Sequence, residues 1–134
     1  MQLREQIHGG QVTVPDIEHN YGDVYVRFNI QPYEETIDEQ TYKGWVYDEW
    51  FMSEYEYQMI QQGQMPYGGV WDDALRSIER GALYDEADRY ISKYATDVPD
   101  ESKRMAWVNY KASVRSTPSQ ETYPQVVTYP IRPS

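Results

Sequence analysis

The sequence of 134 residues contains no cysteine and only two histidines. Without cysteine there is no disulfide framework, no thiolate metal site and no thiol nucleophile. The two histidines, His8 and His19, fall in a segment that we expect to be loop, and two imidazoles are too few for a zinc site or a His-based catalytic triad. We therefore expect no metal and no cofactor.

Long apolar runs and clustered basic residues are also missing. No stretch approaches the roughly 18 apolar residues of a membrane span, and the first residues hold no apolar signal core. The 12 Lys and Arg against 22 Asp and Glu leave a net charge of −10, which disfavours binding to nucleic-acid phosphates. We expect a protein made in the cytoplasm that binds neither membrane nor nucleic acid.

Aliphatic residues are scarce, whereas aromatic residues are abundant. Leu, Ile, Val and Phe together number 24 of 134 residues, but the chain has 14 Tyr and four Trp. Aromatic side chains bury large areas, so we expect Tyr and Trp to replace the missing aliphatics in a thin core. Binding to a partner, or to further copies of the chain in a homo-oligomer, would stabilise such a protein.

The acidic residues are concentrated in one half of the chain. Residues 1–66 carry a net charge of −9, and residues 67–134 carry −1. The change falls in a Gly-, Gln- and Pro-rich stretch over residues 61–69, a composition typical of a linker or sharp reversal. We place the boundary there and predict an acidic β-rich lobe over 1–66 and a helical lobe over 67–134.

The acidic half predicts antiparallel strands. Apolar and polar residues alternate over 24–30 and again over 45–52, which is the period of a strand with one buried face. A third short strand is predicted over 11–14. Ser53, followed by Glu54 and Glu56, is typical of a helix N-cap with acids in the first turn, and Gly63 would end that helix. The alternative is one continuous helix over 43–61.

The second half has apolar residues at helical spacing, with a break or kink predicted at Gly81. Asp100 and the preceding Pro99 mark the start of a helix that runs to about Arg115, and Pro118 ends it. The last stretch, over 121–134, contains three prolines among Tyr and Val, which predicts an extended, polyproline-like arm. The fold class is therefore α+β, with an N-terminal antiparallel hairpin or meander, a small helical lobe and an extended Pro-rich arm.

Catalytic motifs are missing from both halves. Asp48 and Glu49 are neighbours on a predicted strand and point to opposite faces, so they cannot form the facing carboxylate pair of a glycosidase. The glycine pairs Gly9-Gly10 and Gly68-Gly69 are isolated and predict turns, not a phosphate-binding loop. We expect that the protein is not an enzyme.

One run of residues has a distinctive order. It contains Thr96-Asp97, Pro99-Asp100, Ala106-Trp107, Tyr110-Lys111, Val114-Arg115, Pro118, Gln120, Tyr123-Pro124, Val127, Tyr129-Pro130 and Pro133. With this order the chain, from about 88 to 133, resembles small bacteriophage tail assembly proteins of the chaperone kind. Departures from their pattern are Val98 for Trp, Lys111 for Arg and Tyr129 for Trp. A weaker resemblance to small proteins of the same gene neighbourhoods covers 24–30 and 44–49.

The resemblance implies a non-enzymatic role in building or decorating a phage tail, in the host cytoplasm during assembly or in the virion tail. The partner would be a tail, tail-tip or tail-fibre protein. Two arrangements of the arm stay open, on such a partner or across the chain's own helices, and Trp107 is either core or a surface anchor. The candidate protein-binding residues are Trp107, Tyr110, Tyr123, Pro124, Tyr129 and Pro130.

A second hypothesis rests on charge instead of resemblance. An acidic protein of this size could inhibit a host protein by presenting carboxylates in place of DNA phosphates. Such a mimic should display its acids as a spaced row, and its binding should weaken steeply with salt because exposed charges are screened.

Overall fold

The computed structural model describes all 134 residues and confirms the α+β class. An antiparallel sheet of four strands comes first, in the spatial order β1-β4-β3-β2, and three helices follow. None of the helices combines the length and apolar character needed to cross a membrane. The elements are β1 (Gln2–Gly9), β2 (Ile17–Asn20), β3 (Asp23–Ile37), β4 (Gln40–Ser53), α1 (Glu54–Gln61), α2 (Asp73–Ser92) and α3 (Glu101–Arg115).

The chain forms two compact units, Met1–Gln58 and Met59–Ser134, which we call the sheet unit and the helical unit. The sheet unit holds all four strands and the start of α1. The helical unit holds the end of α1, both long helices and the residues that follow them. The sequence places its change of composition at 61–69, shortly after this division.

The long hairpin of β3 and β4 is the predicted pair of alternating segments, extended at both ends. Their register puts Val24 opposite Met52 and Val26 opposite Trp50, and the first three of these are almost completely buried. The strands continue through the polar stretch to a two-residue turn at Asp38 and Glu39, both with positive φ. The alternative of one helix over 43–61 is wrong, because β-branched and aromatic side chains favour a pleated surface here.

The predicted strand over 11–14 is also wrong. Residues 10–16 form an irregular connection between β1 and β2, the two edge strands, and so must cross β4 and β3. On the way, the Val12 carbonyl accepts a hydrogen bond from Trp45 Nε1 (3.3 Å), and the Pro15 carbonyl accepts one from Arg27 Nη1 (3.5 Å). The connection therefore covers the face of the sheet that carries these two side chains.

Local capping signals define the helix starts. Ser53 Oγ accepts from the Glu56 N–H and Glu56 Oε1 accepts from the Ser53 N–H, which forms a capping box. Asp72 and Asp100 cap α2 and α3, because the carboxylate of each accepts a hydrogen bond from a backbone N–H in the first turn of its helix. Gly63, at φ +79°, follows the end of α1 as predicted.

The predicted break at Gly81 is wrong. Helix α2 runs through it for 20 residues, because a lone glycine only weakens a helix whose neighbours are good helix formers. A single π-helical turn, Lys93–Asp97, links α2 to the cap of α3. Helix α3 ends at Arg115, and Pro118 lies in the short 3₁₀ turn Thr117–Ser119 beyond it.

An aromatic cluster forms the core between α2 and α3. Trp107 is 3% exposed; its ring stacks on Tyr90 at 4.3 Å and meets Tyr110 edge-on at 5.4 Å. Ala87 and Val114 complete the fully buried set. This packing accounts for a folded helical unit with few aliphatic residues, since each ring buries as much surface as a large aliphatic side chain or more.

Candidate protein-binding surfaces

The structure places the candidate residues Trp107 and Tyr110 inside the helical unit. Both are at least 95% buried, so neither ring is available to a partner. Of the two possibilities that the sequence leaves open for Trp107, the structure has the core position. Burial raises the pKa of the Tyr110 hydroxyl.

The remaining candidates lie in the arm, over 121–134, which packs against its own unit. Arg76 on α2 holds the arm backbone: its Nε donates to the Pro124 carbonyl (2.7 Å) and its Nη2 to the Gln125 carbonyl (2.9 Å). Its Nη1 donates to Glu79 (2.9 Å), and its guanidinium lies 3.8 Å from the centre of the Trp71 ring. One buried arginine thus satisfies two carbonyls that the arm could not otherwise pair.

Two tyrosines anchor the arm from the other side. The Tyr129 hydroxyl donates to Glu79, and the Tyr123 hydroxyl donates to Asp73 and accepts from Arg80 Nη1 (2.6 Å). Burial, followed by the bond to Glu79, raises the pKa of Tyr129 well above its ordinary value. Tyr123, Pro124, Tyr129 and Pro130 are all half-buried by these contacts.

The anchoring residues of α2 were missed in the sequence. Arg76, Glu79 and Arg80 follow a helical i, i+3, i+4 spacing, a pattern that predicts only neighbouring side chains on one helix face. Nothing in their spacing signals carbonyl groups that lie 48 and 49 residues further along the chain.

The sheet unit presents a different kind of surface. The far end of the hairpin, over residues 31–37 and 40–46, extends beyond β2, and we call it the ribbon. β2 pairs with β3 only up to Val26, and the Arg27 N–H donates to the Asp16 carbonyl (2.7 Å). β1 pairs with β4 no further than Trp45. The ribbon beyond these points has unpaired backbone on both edges.

Two β-bulges turn the sheet where the ribbon begins. Gln6 in β1 and Asn29 in β3 both adopt positive φ, and the register shifts at each. Asp48, on the strand between them, accepts from Asn29 Nδ2 (2.9 Å) and from the Gln6 N–H (3.0 Å). These two hydrogen bonds lower the pKa of Asp48. Bulges of this kind increase local twist and re-aim a strand, so Asp48 helps to fix the direction of the ribbon.

A buried ion pair lies on the covered face of the sheet, next to the ribbon. Arg27 Nε donates to Glu49 (3.0 Å), and both side chains are over 90% buried. Arg27 also pairs with Glu18 (2.8 Å) and Glu49 with Arg4 (3.7 Å). Burial lowers the pKa of Arg27, but the bonds to the two carboxylates outweigh it and raise that pKa. All four charges are used within the fold.

One face of the ribbon is apolar and exposed. Side chains two apart on a strand share a face, and this face carries Ile37 (49% exposed) and Tyr42 (52% exposed). Tyr33 lies on the same face and meets His8 edge-on at 4.6 Å, beside a shallow cleft of about 170 Å³. We call this the tyrosine face; it consists of Tyr33, Glu35, Ile37, Gln40 and Tyr42.

The opposite face of the ribbon holds an open groove of about 610 Å³. Trp45 and Pro32 are cross-strand partners in it, and Glu34 and Lys43 form the next pair along. Neither of these two charged side chains makes an ion pair or hydrogen bond. We call this the tryptophan groove, lined by Gly10, Gln11, Val12, Pro32, Tyr33, Glu34, Lys43, Gly44 and Trp45.

No family model, curated protein or solved structure matches this chain.

No group of three His, Asp or Glu side chains is placed to hold a metal ion. His19, one of the two histidines, is a hydrogen-bond partner of Glu54 (2.7 Å). The surfaces that stand out are the tyrosine face, the tryptophan groove and the free edges of the ribbon.

Proposed function

We propose that the chain is a non-enzymatic bacteriophage tail protein that acts by binding another protein. In this proposal it assists assembly of the tail or tail fibre, or stays as a minor virion component, and contacts a tail, tail-tip or tail-fibre subunit. The observation that carries the binding role is the ribbon, because its exposed apolar face lies beside two unpaired strand edges.

Free strand edges support binding by strand addition. An extended segment of a partner can pair with an exposed edge through main-chain hydrogen bonds, and side-chain pockets then give specificity. The tyrosine face supplies such pockets beside Tyr33 and Tyr42. The ribbon tip carries Glu34, Glu35, Asp38 and Glu39 against the single Lys43, which favours a partner with a basic surface.

The phage-tail assignment rests on the resemblance of residues 88–133. The residues that carry it belong to one packed unit, in which Trp107 and Tyr110 form the core and Tyr123 and Tyr129 anchor the arm. A shared order of these residues is consistent with a shared helical scaffold. We propose that this scaffold supports the protein and that the sheet unit does the binding.

The inhibitor hypothesis has less support from the arrangement of the acids. Glu34 and Glu35 are neighbours on β3 and point to opposite faces of the ribbon. Glu49, Glu18 and Glu56 form ion pairs within the sheet unit. These five acids therefore do not contribute to a single spaced row of the kind that a DNA mimic would need.

Complementation of the encoding phage tests the proposal. A deletion strain should lose tailed particles, as seen by electron microscopy, and the wild-type chain should restore them. The double variant Ile37→Ser/Tyr42→Ser should fail to restore them. Tyr55→Ser is the matched control, because Tyr55 is a 69% exposed tyrosine of the same unit that lies outside the ribbon.

Quantitative mass spectrometry of purified particles separates the two roles. A fixed small copy number relative to the major tail protein would identify a virion component, and absence from particles of a chain needed for their tails would identify a chaperone. Normal tails in the deletion strain would overturn the proposal. A ribbon double variant that restores tails as well as Tyr55→Ser would overturn the assignment of binding to the ribbon.

A further inference from the structure

We propose that the tryptophan groove binds the segment Pro130-Ile131-Arg132-Pro133 of a second copy of this chain, so that the protein self-associates. This inference concerns a different face of the ribbon from the tyrosine face and does not depend on the phage-tail assignment. It rests on the chemistry of the groove, the conformation of the segment and two unpaired charges.

The groove has the lining that proline-rich segments bind. Its floor places the Trp45 indole beside the Pro32 ring, with Val12 of the crossing connection at one side. Grooves lined by aromatic side chains bind polyproline II segments, whose prolines pack on the flat rings. The indole N–H of Trp45 is already bonded to the Val12 carbonyl, so the ring is held in place before any ligand arrives.

Two of the glycines that line the groove differ in the space around them. Gly44 lies between Trp45 and Lys43 on β4, and a Cβ there would collide with the carbonyl oxygen of Gly9. Gly10, in contrast, has open space where a Cβ would be. A volume of about 610 Å³ lies within the size range of ligand sites in proteins.

The segment is shaped for such a groove. Proline fixes φ near the polyproline II value, and the residue before a proline is restricted to extended conformations. Tyr129 and Arg132 precede Pro130 and Pro133, so most of the segment is held extended. In a polyproline II helix of three residues per turn, Pro130 and Pro133 lie on the same side. Ile131 between them is 95% exposed, without a packing partner in its own chain.

The charges of groove and segment are complementary. Glu34 lies beside the Trp45 and Pro32 pair and has no partner, so it can accept from the guanidinium of Arg132. Arg132 pairs with Glu86 (2.7 Å), but its side chain is 57% exposed, and exposed pairs contribute little to stability. Lys43, also unpaired, can donate to the carbonyls of the segment. On binding, the segment would exchange this pair, and the partial burial of Pro130 and Pro133 against its own unit, for the lined groove.

A second copy is the occupant that supplies this segment at the same concentration as the groove. Tyr129 remains bound to Glu79, so only residues after it need to project from the helical unit. The thin core expected from composition also favours burial of Trp45 and Ile131 on association. A dimer by exchange of two segments, or an open chain of copies, would follow from the same contact.

A peptide titration tests the contact itself. The peptide of residues 127–134 is added to the ¹⁵N-labelled full chain and followed by amide and indole NMR shifts. Saturable shifts are expected at residues 10–12, 33–34 and 43–45, and a peptide with Pro130→Ala and Pro133→Ala should lose them. Shifts confined to other residues, or none at saturating peptide, would overturn the proposal.

Complementary variants test self-association of the full chain by sedimentation velocity. Glu34→Arg changes an exposed side chain without contacts, so it should fold normally and weaken association at least about tenfold. A chain ending at Pro130 should also be monomeric. Mixing this chain with the groove variant Trp45→Ala should form a one-to-one complex, because each supplies what the other lacks.

A charge exchange completes the test. Arg132→Glu alone should weaken association as Glu34→Arg does, and the double variant Glu34→Arg/Arg132→Glu should restore it. Far-UV circular dichroism checks that each variant is folded. If Trp45→Ala does not fold, Glu34→Arg replaces it as the groove variant in the mixing experiment. A wild-type chain that stays monomeric at all concentrations, or association unchanged by the groove and segment variants, would overturn the proposal.

Discussion

The two units use their aromatic residues in opposite ways. In the helical unit Trp107, Tyr110 and Tyr129 pack against one another or bond to α2. In the ribbon of the sheet unit Tyr42 and Ile37 are about half exposed and the strand edges are unpaired. The aromatic residues of the helical unit therefore belong to its internal packing, whereas a plain alternating strand pattern provides the free surface.

Residue type alone does not distinguish an aromatic residue that binds a partner from one that packs inside the protein. Tyr129-Pro130 and Tyr42 look equally suited to bind a partner in the sequence. They differ in whether a buried polar side chain elsewhere in the chain forms a hydrogen bond with them. Glu79 and Arg76 bind the arm, whereas Ile37 and Tyr42 on the tyrosine face remain about half exposed.

The largest expected effect is the loss of the aromatic core. Trp107→Ala should lower the free energy of unfolding of the helical unit by about 3–5 kcal/mol, since a large buried ring leaves a cavity. Denaturant titration followed by far-UV circular dichroism measures it. Tyr67→Ala, at an 86% exposed position of the same unit, should change stability by no more than about 0.5 kcal/mol. If both variants changed stability by the same small amount, Trp107 would lie at the surface, and the contrast between the two units would be wrong.

The next effect concerns the arm. Arg76→Ala leaves two arm carbonyls and the buried Glu79 carboxylate without their partner, so it should cost about 3 kcal/mol. Residues 121–134 should then become sensitive to limited digestion with thermolysin, which cleaves before apolar residues, at Val126 and Val127. Arg76→Lys keeps the charge but not the forked geometry, and should give an intermediate result. An arm equally resistant in Arg76→Ala would show that these bonds do not hold it.

A smaller effect is expected in the sheet unit. Gly44→Ala places a Cβ against the Gly9 carbonyl, which should cost about 1–3 kcal/mol through overpacking and disturb the pairing of β1 with β4. Amide NMR shifts should change in the sheet unit. Gly10→Ala, which meets open space, is the control. If the two variants behaved alike, the close approach of the strands at Gly44 would be absent.

The smallest effect depends on pH. Because the pKa of Tyr129 is raised in the folded chain, the unfolded chain releases its proton first, near pH 10. The stability that this group contributes is present below about pH 10 and is lost as pH rises further. Tyr129→Phe should cost about 1 kcal/mol at pH 8, and its stability should fall less steeply above pH 10 than that of the wild type. Parallel pH profiles of the two proteins would contradict the buried bond to Glu79.

Local patterns predicted much of the fold. The alternation over 24–30 and 45–52 located the central hairpin, and Ser53 and Asp100 located the starts of two helices through their side-chain caps. β1 was missed because its apolar residues, Leu3 and Ile7, lie on either side of a bulge at Gln6, which breaks the alternation. The edge position leaves most of that strand exposed and its pattern weak.

The surfaces were harder to predict than the elements. The docking of the arm depends on Arg76 meeting carbonyl oxygens, and backbone acceptors leave no mark in a sequence. The tryptophan groove depends on the register that sets Pro32 opposite Trp45 and on the connection that brings Val12 across the sheet. Both are long-range features, so composition and periodicity could not show them.

Hydroxyl-radical footprinting of the free chain and of tail intermediates isolated from infected cells tests the division of roles most directly. Trp107, Tyr110 and Tyr129 should be protected in both states, whereas Ile37 and Tyr42 should react in the free chain and become protected in the intermediates. Reactive Trp107 and Tyr129 in the free chain that become protected on binding, with Tyr42 unchanged, would contradict it.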